Sequence, residues 1–257
     1  MPDQAVKAQA SKREPIVSEA DRRAELAACY RLIAHFNMSD TIYTHVTARV
    51  PEAPDQMLIN PYGLLFDEVT ASNLVKVDFD GQVLDSSRFP LNAAGFIIHA
   101  SIYRARSDAG CIIHTHTTAG AALSALGCGL LPISQFAMEF YNRIGYHAFE
   151  GLATDQEEGS RIADDLGSFN ALIMRNHGLL VVGRSVAAAF ETMYYLEQAC
   201  LVQLAAQNTG ATLHLPPAEV CEHAATQFET QGVMPKGKRL WSAMLRKLDR
   251  ADSGYRK

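Results

Sequence analysis

The segment GCIIHTH at residues 110–116 constrains the fold more than any other stretch of the chain. Three consecutive apolar side chains, Cys111, Ile112 and Ile113, leave an extended backbone no polar face, so the segment reads as an internal strand of a sheet. Its polar residues gather only at the end. Alternation then sets His114 and His116 on one face, with Cα atoms roughly 6.5 Å apart, so that two imidazoles can converge on one cation. A third histidine stands in Arg175-Asn176-His177-Gly178, after one apolar strand and before another, where the glycine gives the backbone freedom for a sharp turn. Three histidines with one position left for water or substrate are the ligand pattern of catalytic rather than structural zinc. The competing explanation is a polar strand end and an ordinary turn histidine, and spacing alone does not separate the two.

The rest of the chain alternates between the two periodicities. Ser18 and Asp21 give a capping signal for a helix to about Phe36, with Leu26, Tyr30, Ile33 and Ala34 at helical spacing. Alternating β-branched residues over 43–50 predict a strand, and MLINP a second one after a proline-rich turn at Pro51 to Pro54. VKVDF at 75–79, the pair Asp80-Gly81 and QVLD at 82–85 predict a hairpin closed by a type I′ turn. A helix is expected at 92–106 and another after Thr117 or Thr118 to about Gly127; Thr154 and Glu157 signal a third, through Leu166. The strands ALIMRN and LLVVG flank His177, and Ser185 starts an alanine-rich helix to about Asn208. Residues 1–17 read as a mobile polar tail, 18–208 as one domain, and 209–257 as a helical extension ending in a mobile tail.

Composition removes several classes of function. With 257 residues, 48% hydrophobic and 20% charged, the chain can bury a full core. A net charge of -5 and a pI near 6.0 give no basic field for a phosphate backbone, so nucleic acid is excluded as a partner. No apolar run approaches the roughly twenty residues that span a bilayer, so a membrane is not expected either. The opening MPDQAVKAQASKREP lacks the apolar stretch of a secretory signal. Five scattered cysteines without a C-x-x-C pair read as reduced thiols, and the location expected is the cytoplasm. Nucleophile-elbow, phosphate-loop and dinucleotide fingerprints are absent.

Seven segments in order carry a family resemblance: HVTAR (45–49), INPYG (59–63), VKVD with the Asp-Gly turn, PLNAAGFIIHASIY (90–103), GCIIHTH (110–116), LPISQF (131–136) and MRNHGLLVVG (174–183). Over residues 20–208 the chain resembles the class II aldolase/adducin family, which includes fuculose-phosphate aldolase and ribulose-phosphate epimerase. The resemblance implies an α/β fold, three-layer α/β/α, with a large, mainly antiparallel central sheet. It also implies a divalent metal on His114, His116 and His177, zinc first and manganese as the alternative. Family members are commonly homotetramers with sites at subunit interfaces.

The departures from the family bear on the substrate. The sugar-phosphate aldolases carry a catalytic glutamate where this chain has Gly95, and the asparagine of their G-N-x-S segment corresponds to His45. Their phosphate-binding hydroxyls and glycines correspond to segments that here hold Tyr62, Ala93 and Ala94, too few donors for a phosphate. The resemblance therefore points to a metal-dependent carbon–carbon lyase, a decarboxylase or retro-aldolase, acting on a small oxygenated acid or sugar-like compound through a metal-stabilised enolate. Two alternatives stand beside it: a non-catalytic adducin-like binding module, and an epimerase or dehydratase using the same metal site.

Four further residues are candidates for the chemistry. His45 is placed to orient substrate or carry a proton, and Arg49, on the same strand face, to bind a carboxylate. Glu139 and Tyr141, with Arg143 beside them, are placed to reach a neighbouring subunit's metal and supply an acid or base there. The competing readings are a hydrogen-bonded sheet histidine, a surface ion pair and interface packing. His99 and Tyr103 read as packing, and His35, His147, His214 and His223 as surface or structural residues.

Overall fold

A computed structural model describes residues 17–87, 89–152, 155–230 and 236–257. The mobile tail expected at 1–17 lies outside them apart from Val17, and so does the Thr154 cap. Seven strands form one sheet: β1 (His45–Val50), β2 (Ala53–Ile59), β3 (Val75–Asp78), β4 (Cys111–Thr115), β5 (Gly145–His147), β6 (Ala171–Met174) and β7 (Gly178–Gly183). Their order is β3-β2-β1-β4-β7-β6-β5, antiparallel at every junction except the parallel pair β5–β6. The helices are α1 (Glu19–His35), α2 (Ala93–Ala105), α3 (Thr118–Ser124), α4 (Gln135–Met138), α5 (Gln156–Leu166), α6 (Val186–Gln207), α7 (Ala218–Thr230) and α8 (Lys238–Ala251).

The apolar run of β4 explains why the sheet is covered twice. Cys111 and Ile113 pack on one face with Val46, Ala48, Leu179 and Val181, beneath residues of α1, α6 and α8. Ile112 packs on the other with Met57, Leu172, Leu180 and Val182, beneath residues of α2 and α5. Each fully buried isoleucine contributes about 1.5–3 kcal/mol relative to exposure, so β4 holds the two helical layers together. The three-layer α/β/α architecture follows from this alternation.

Local signals set several boundaries. The Ser18 hydroxyl accepts from the Asp21 amide, and the Asp21 carboxylate accepts from the Ser18 amide, closing the capping box of α1. Thr117 caps α3 and Ser185 caps α6. For α5 the cap is Asp155, whose carboxylate accepts from the Glu158 amide at 2.7 Å. The turn after β3 forms with Gly81 at φ 91°, but Asp80 is not left-handed and the turn is not type I′. QVLD joins the sheet only through the bridge Val77–Val83, so the expected second arm is not a strand. The C-terminal end is also packed rather than mobile: Tyr255 is buried, and the carbonyls of Tyr255 and Lys257 accept from the amides of Ala71 and Ser72.

One buried hydroxyl fixes the start of β1. Tyr30 Oη, on α1, accepts from the amides of Val46 (2.8 Å) and Asn60 (3.2 Å), which ties the helix to β1 and β2 at once. The bond to Val46 fixes the residue next to His45.

Candidate metal centre

The end of β4, the turn from β6 into β7 and the start of β1 meet at one end of the sheet's central strands. There the Nε2 atoms of the three predicted ligands converge: His114 to His116 is 2.9 Å, His114 to His177 is 3.3 Å and His116 to His177 is 2.8 Å. Two of the rings have fixed tautomers. His114 Nδ1–H donates to the Leu179 carbonyl (2.9 Å), and His116 Nδ1–H donates to the Asp40 carboxylate (3.0 Å). In neutral rings so held, the two Nε2 atoms present lone pairs to each other, an arrangement that a cation between them would relieve. Metal–nitrogen bonds of about 2.0–2.1 Å in tetrahedral geometry would set such atoms roughly 3.3 Å apart, so the donor set fits a divalent ion after slight expansion.

Electrostatics favour the same conclusion. Burial, and then the neighbouring His116 and His147, push the His177 imidazole down to about 4. Burial, and then His177 and His116, hold His114 well below the ordinary histidine range. A neutral imidazole is the form that binds a metal.

The supports of the three rings differ in how far the sequence announced them. Asp40 lies in the loop before β1, 76 residues from His116, and nothing in its surroundings marks it as a partner. A carboxylate behind a ligating histidine fixes tautomer and ring orientation, so Asp40 is placed to support the candidate centre through a contact that sequence reasoning does not reach. Ser124 is placed likewise: its hydroxyl accepts from the His177 amide at 3.1 Å. The turn itself departs from expectation, because Asn176, not the glycine, takes the left-handed conformation (φ 55°). Gly178 is needed for closeness instead. A Cβ there would lie 2.3 Å from the Thr115 carbonyl oxygen of β4.

His45 joins this cluster. It pairs with His114 across β1 and β4, and the two ring centroids are 5.3 Å apart. His99, read from sequence as packing, lies 4.2 Å away on the same face and accepts or donates at Nδ1 with the Thr47 hydroxyl (2.7 Å), which also meets Tyr103 Oη at 3.0 Å. Burial, ahead of the neighbouring imidazoles, pushes both His45 and His99 well below their ordinary values. His147 is buried as well, with Nδ1–H donating to the Asp165 carboxylate at 2.8 Å.

The remaining candidates stand elsewhere. Arg49 shares a face with His45 but lies at the other end of β1, where it donates to the carbonyls of Ala109 (2.9 Å), Tyr103 (2.8 Å), Arg106 (3.0 Å) and Pro54. Its guanidinium also lies 4.7 Å over the Tyr103 ring, so its donors are taken up by the fold and do not face a substrate carboxylate at the histidines. Glu139 is ion-paired with Lys236 and lines a cleft of about 490 Å³ with Gly183 and Arg184, at the opposite end of β7 from Gly178. Tyr141 lines another cavity, beside Leu130 and Tyr146. Arg143 is held by Glu222 (2.7 Å) and Glu229 (2.8 Å). Within one chain, neither Glu139 nor Tyr141 meets the three histidines.

A doubly covered, mainly antiparallel sheet with three convergent histidines at one end of its central strands defines an α/β protein with a donor set that a divalent metal could occupy. Comparison with known proteins gives the family. Residues 24–204 match the family described as Class II Aldolase and Adducin N-terminal domain, and the chain belongs to that family. A Pseudomonas aeruginosa protein provisionally named an aldolase class 2 protein is 45% identical over 244 residues, covering 93% of each chain. Rat alpha-adducin is 42% identical over 248 residues, covering 91% of this chain but only 33% of the adducin. Among solved structures, an aldolase II superfamily protein from Pseudomonas syringae superposes with a TM-score of 0.88 at 46% identity, covering 95% of this chain and 97% of that one. The L-fuculose 1-phosphate aldolase of Glaciozyma antarctica gives 0.77 at 28% identity, covering 93% of both. Class II aldolases are generally dependent on a divalent metal, in keeping with the three-histidine group.

Proposed function

We propose that this chain is a metal-dependent carbon–carbon lyase that cleaves a small oxygenated acid or sugar-like compound by decarboxylation or retro-aldol chemistry. The observation that carries the reading is the convergence of three histidine Nε2 atoms within 3.3 Å of one another. His114, His116 and His177 would hold the ion, zinc first and manganese as the alternative, with a coordination position left open. A divalent cation there supplies Lewis-acid polarisation of a substrate oxygen. The protein's own part is to hold the rings rigid through Leu179 and Asp40 and to keep the pocket wall dry through the burial of His45 and His99. Gly95 offers no proton-transfer group, and Tyr62 and Ala93 offer fewer donors than a phosphate takes. A small acid suits this pocket better than a sugar phosphate.

Exposed apolar residues in the segment that follows β5 support a homo-oligomer, a tetramer in this reading. Phe149, whose ring centroid is 6.5 Å from that of His177, is 56% exposed, and Leu152 is 84% exposed. The location proposed is the cytoplasm; among the described residues no helix is long and apolar enough to cross a membrane.

A second reading has its own support, the 42% identity to rat alpha-adducin over 91% of this chain. On that reading the fold survives as a binding module. Two measurements separate them: metal content of the untreated protein, and turnover of a panel of hydroxy acids, keto acids and sugar phosphates. The lyase reading expects one divalent ion per chain and turnover that disappears in His116→Ala. Absence of metal, or full metal occupancy in His116→Ala, rejects it.

A further inference from the structure

His45 is a buried histidine that the polypeptide does not satisfy. Its side chain is 3% exposed, and neither ring nitrogen has a hydrogen-bond partner among the described residues. A neutral imidazole carries one donor and one acceptor, and a folded chain does not ordinarily leave both unmade out of reach of bulk water. The nitrogens are close to the three-histidine centre: His45 stands opposite His114 in the strand register, on the same sheet face, with ring centroids 5.3 Å apart.

The backbone around this ring is arranged at a cost. The preceding residue, Thr44, is buried and β-branched yet holds φ at 64°, a conformation such residues rarely adopt. Across the pocket, Gly95 lies in the first turn of α2. A Cβ at that position would lie 2.6 Å from His45 Nδ1 and 2.7 Å from its Cε1 and Cγ. The glycine is not in the left-handed region, so α2 itself has no need of it, and glycine within a helix is a poorer choice than alanine. What the glycine provides is room for the ring.

We infer that Gly95 is the seat of the His45 imidazole, and that His45 hydrogen-bonds an oxygen atom of the small molecule that occupies the three-histidine centre. The inference rests on the reading that this centre takes a metal ion and an oxygen-bearing ligand. It accounts for three features together: the unpartnered nitrogens, the strained residue before them and the glycine in the facing helix. On this account His45 contacts the ligand, and Gly95 is a positioning residue acting through it.

The test uses the full chain loaded with zinc and glycolate as the probe, since a 2-hydroxy acid offers two oxygen atoms to an open metal position. Zinc content, glycolate binding by titration calorimetry and thermal melting are measured for the wild type, His45→Ala, Gly95→Ala and the double variant. All four are expected to keep one zinc. Glycolate should bind His45→Ala and Gly95→Ala about tenfold more weakly than wild type, the scale of one lost hydrogen bond. Gly95→Ala should lower the melting temperature when His45 is present and lose that effect when His45 is alanine. Equal glycolate affinity in wild type and His45→Ala, no glycolate binding by the zinc-loaded wild type, or a melting penalty independent of His45 would each overturn the inference. Loss of zinc from His45→Ala would overturn it too, because the ring would then serve the metal. A wild type that binds no zinc removes the underlying lyase reading instead, and the two failures are thereby told apart.

Discussion

The two ends of the central sheet put their polar groups to different uses. At the end where β1 finishes, Arg49 satisfies four backbone carbonyls, and Arg106 donates to the Asp108 carboxylate (2.7 Å) and to the carbonyls of Gly167 and Phe169 (2.8 Å each). At the end where β1 begins, three Nε2 atoms face one another, and both ring nitrogens of His45 and the Nε2 atoms of His99 and His147 have no hydrogen-bond partner among the described residues. Polar groups that the chain satisfies internally hold the fold. Three convergent imidazoles are the donor set that a divalent ion takes, which is the reading proposed for the other end.

Four experiments break or sharpen this contrast. The largest effect is expected at the histidine end: His114→Ala should abolish stoichiometric metal binding while leaving the metal-free fold intact by circular dichroism. A variant that keeps its metal would erase the distinction between the ends. At the other end, Arg49→Ala leaves partly buried carbonyls without their donor and should cost about 1–2 kcal/mol by urea denaturation, with metal stoichiometry unchanged. A neutral result would show that its hydrogen bonds contribute little. Asp40→Asn keeps the size of the side chain behind His116 and removes its charge, and should weaken metal affinity roughly 10–100-fold in a chelator competition. Unaltered affinity would reduce Asp40 to a surface contact.

The smallest effect is in pH. His177 is pushed down to about 4, while an unfolded histidine titrates near 6.5. Between those values the unfolded chain binds the proton and the folded ring does not, so the stability of the metal-free protein should fall as pH drops from about 6.5 towards 4. His45, His99 and His114, all lowered chiefly by burial, act in the same direction. Melting of the metal-free protein at successive pH values checks this, and a flat profile across that window would contradict it.

How much of this could be read in the sequence depended on the range of the interaction. Strand alternation put His114 and His116 on one face, and the cap signals of α1 and α6 were local and held. Alternation also put Arg49 on the face of His45. It carries no information on reach, and four residues of strand separate the two by roughly 13 Å. Asp40 and Ser124 serve the centre through contacts 76 and 53 residues away in sequence, which no local pattern encodes. The three-residue β5 and the four-residue α4 are too short to generate a periodicity. Gly95 was legible as a missing side chain, but only the structure shows the ring that fills its place.

The most direct test of the central claim is X-ray absorption at the zinc edge of the zinc-loaded protein. Three imidazole nitrogens at about 2.0–2.1 Å with a remaining oxygen donor are the result expected. Sulfur in the coordination shell, fewer than three imidazoles, or zinc that does not bind stoichiometrically would contradict it.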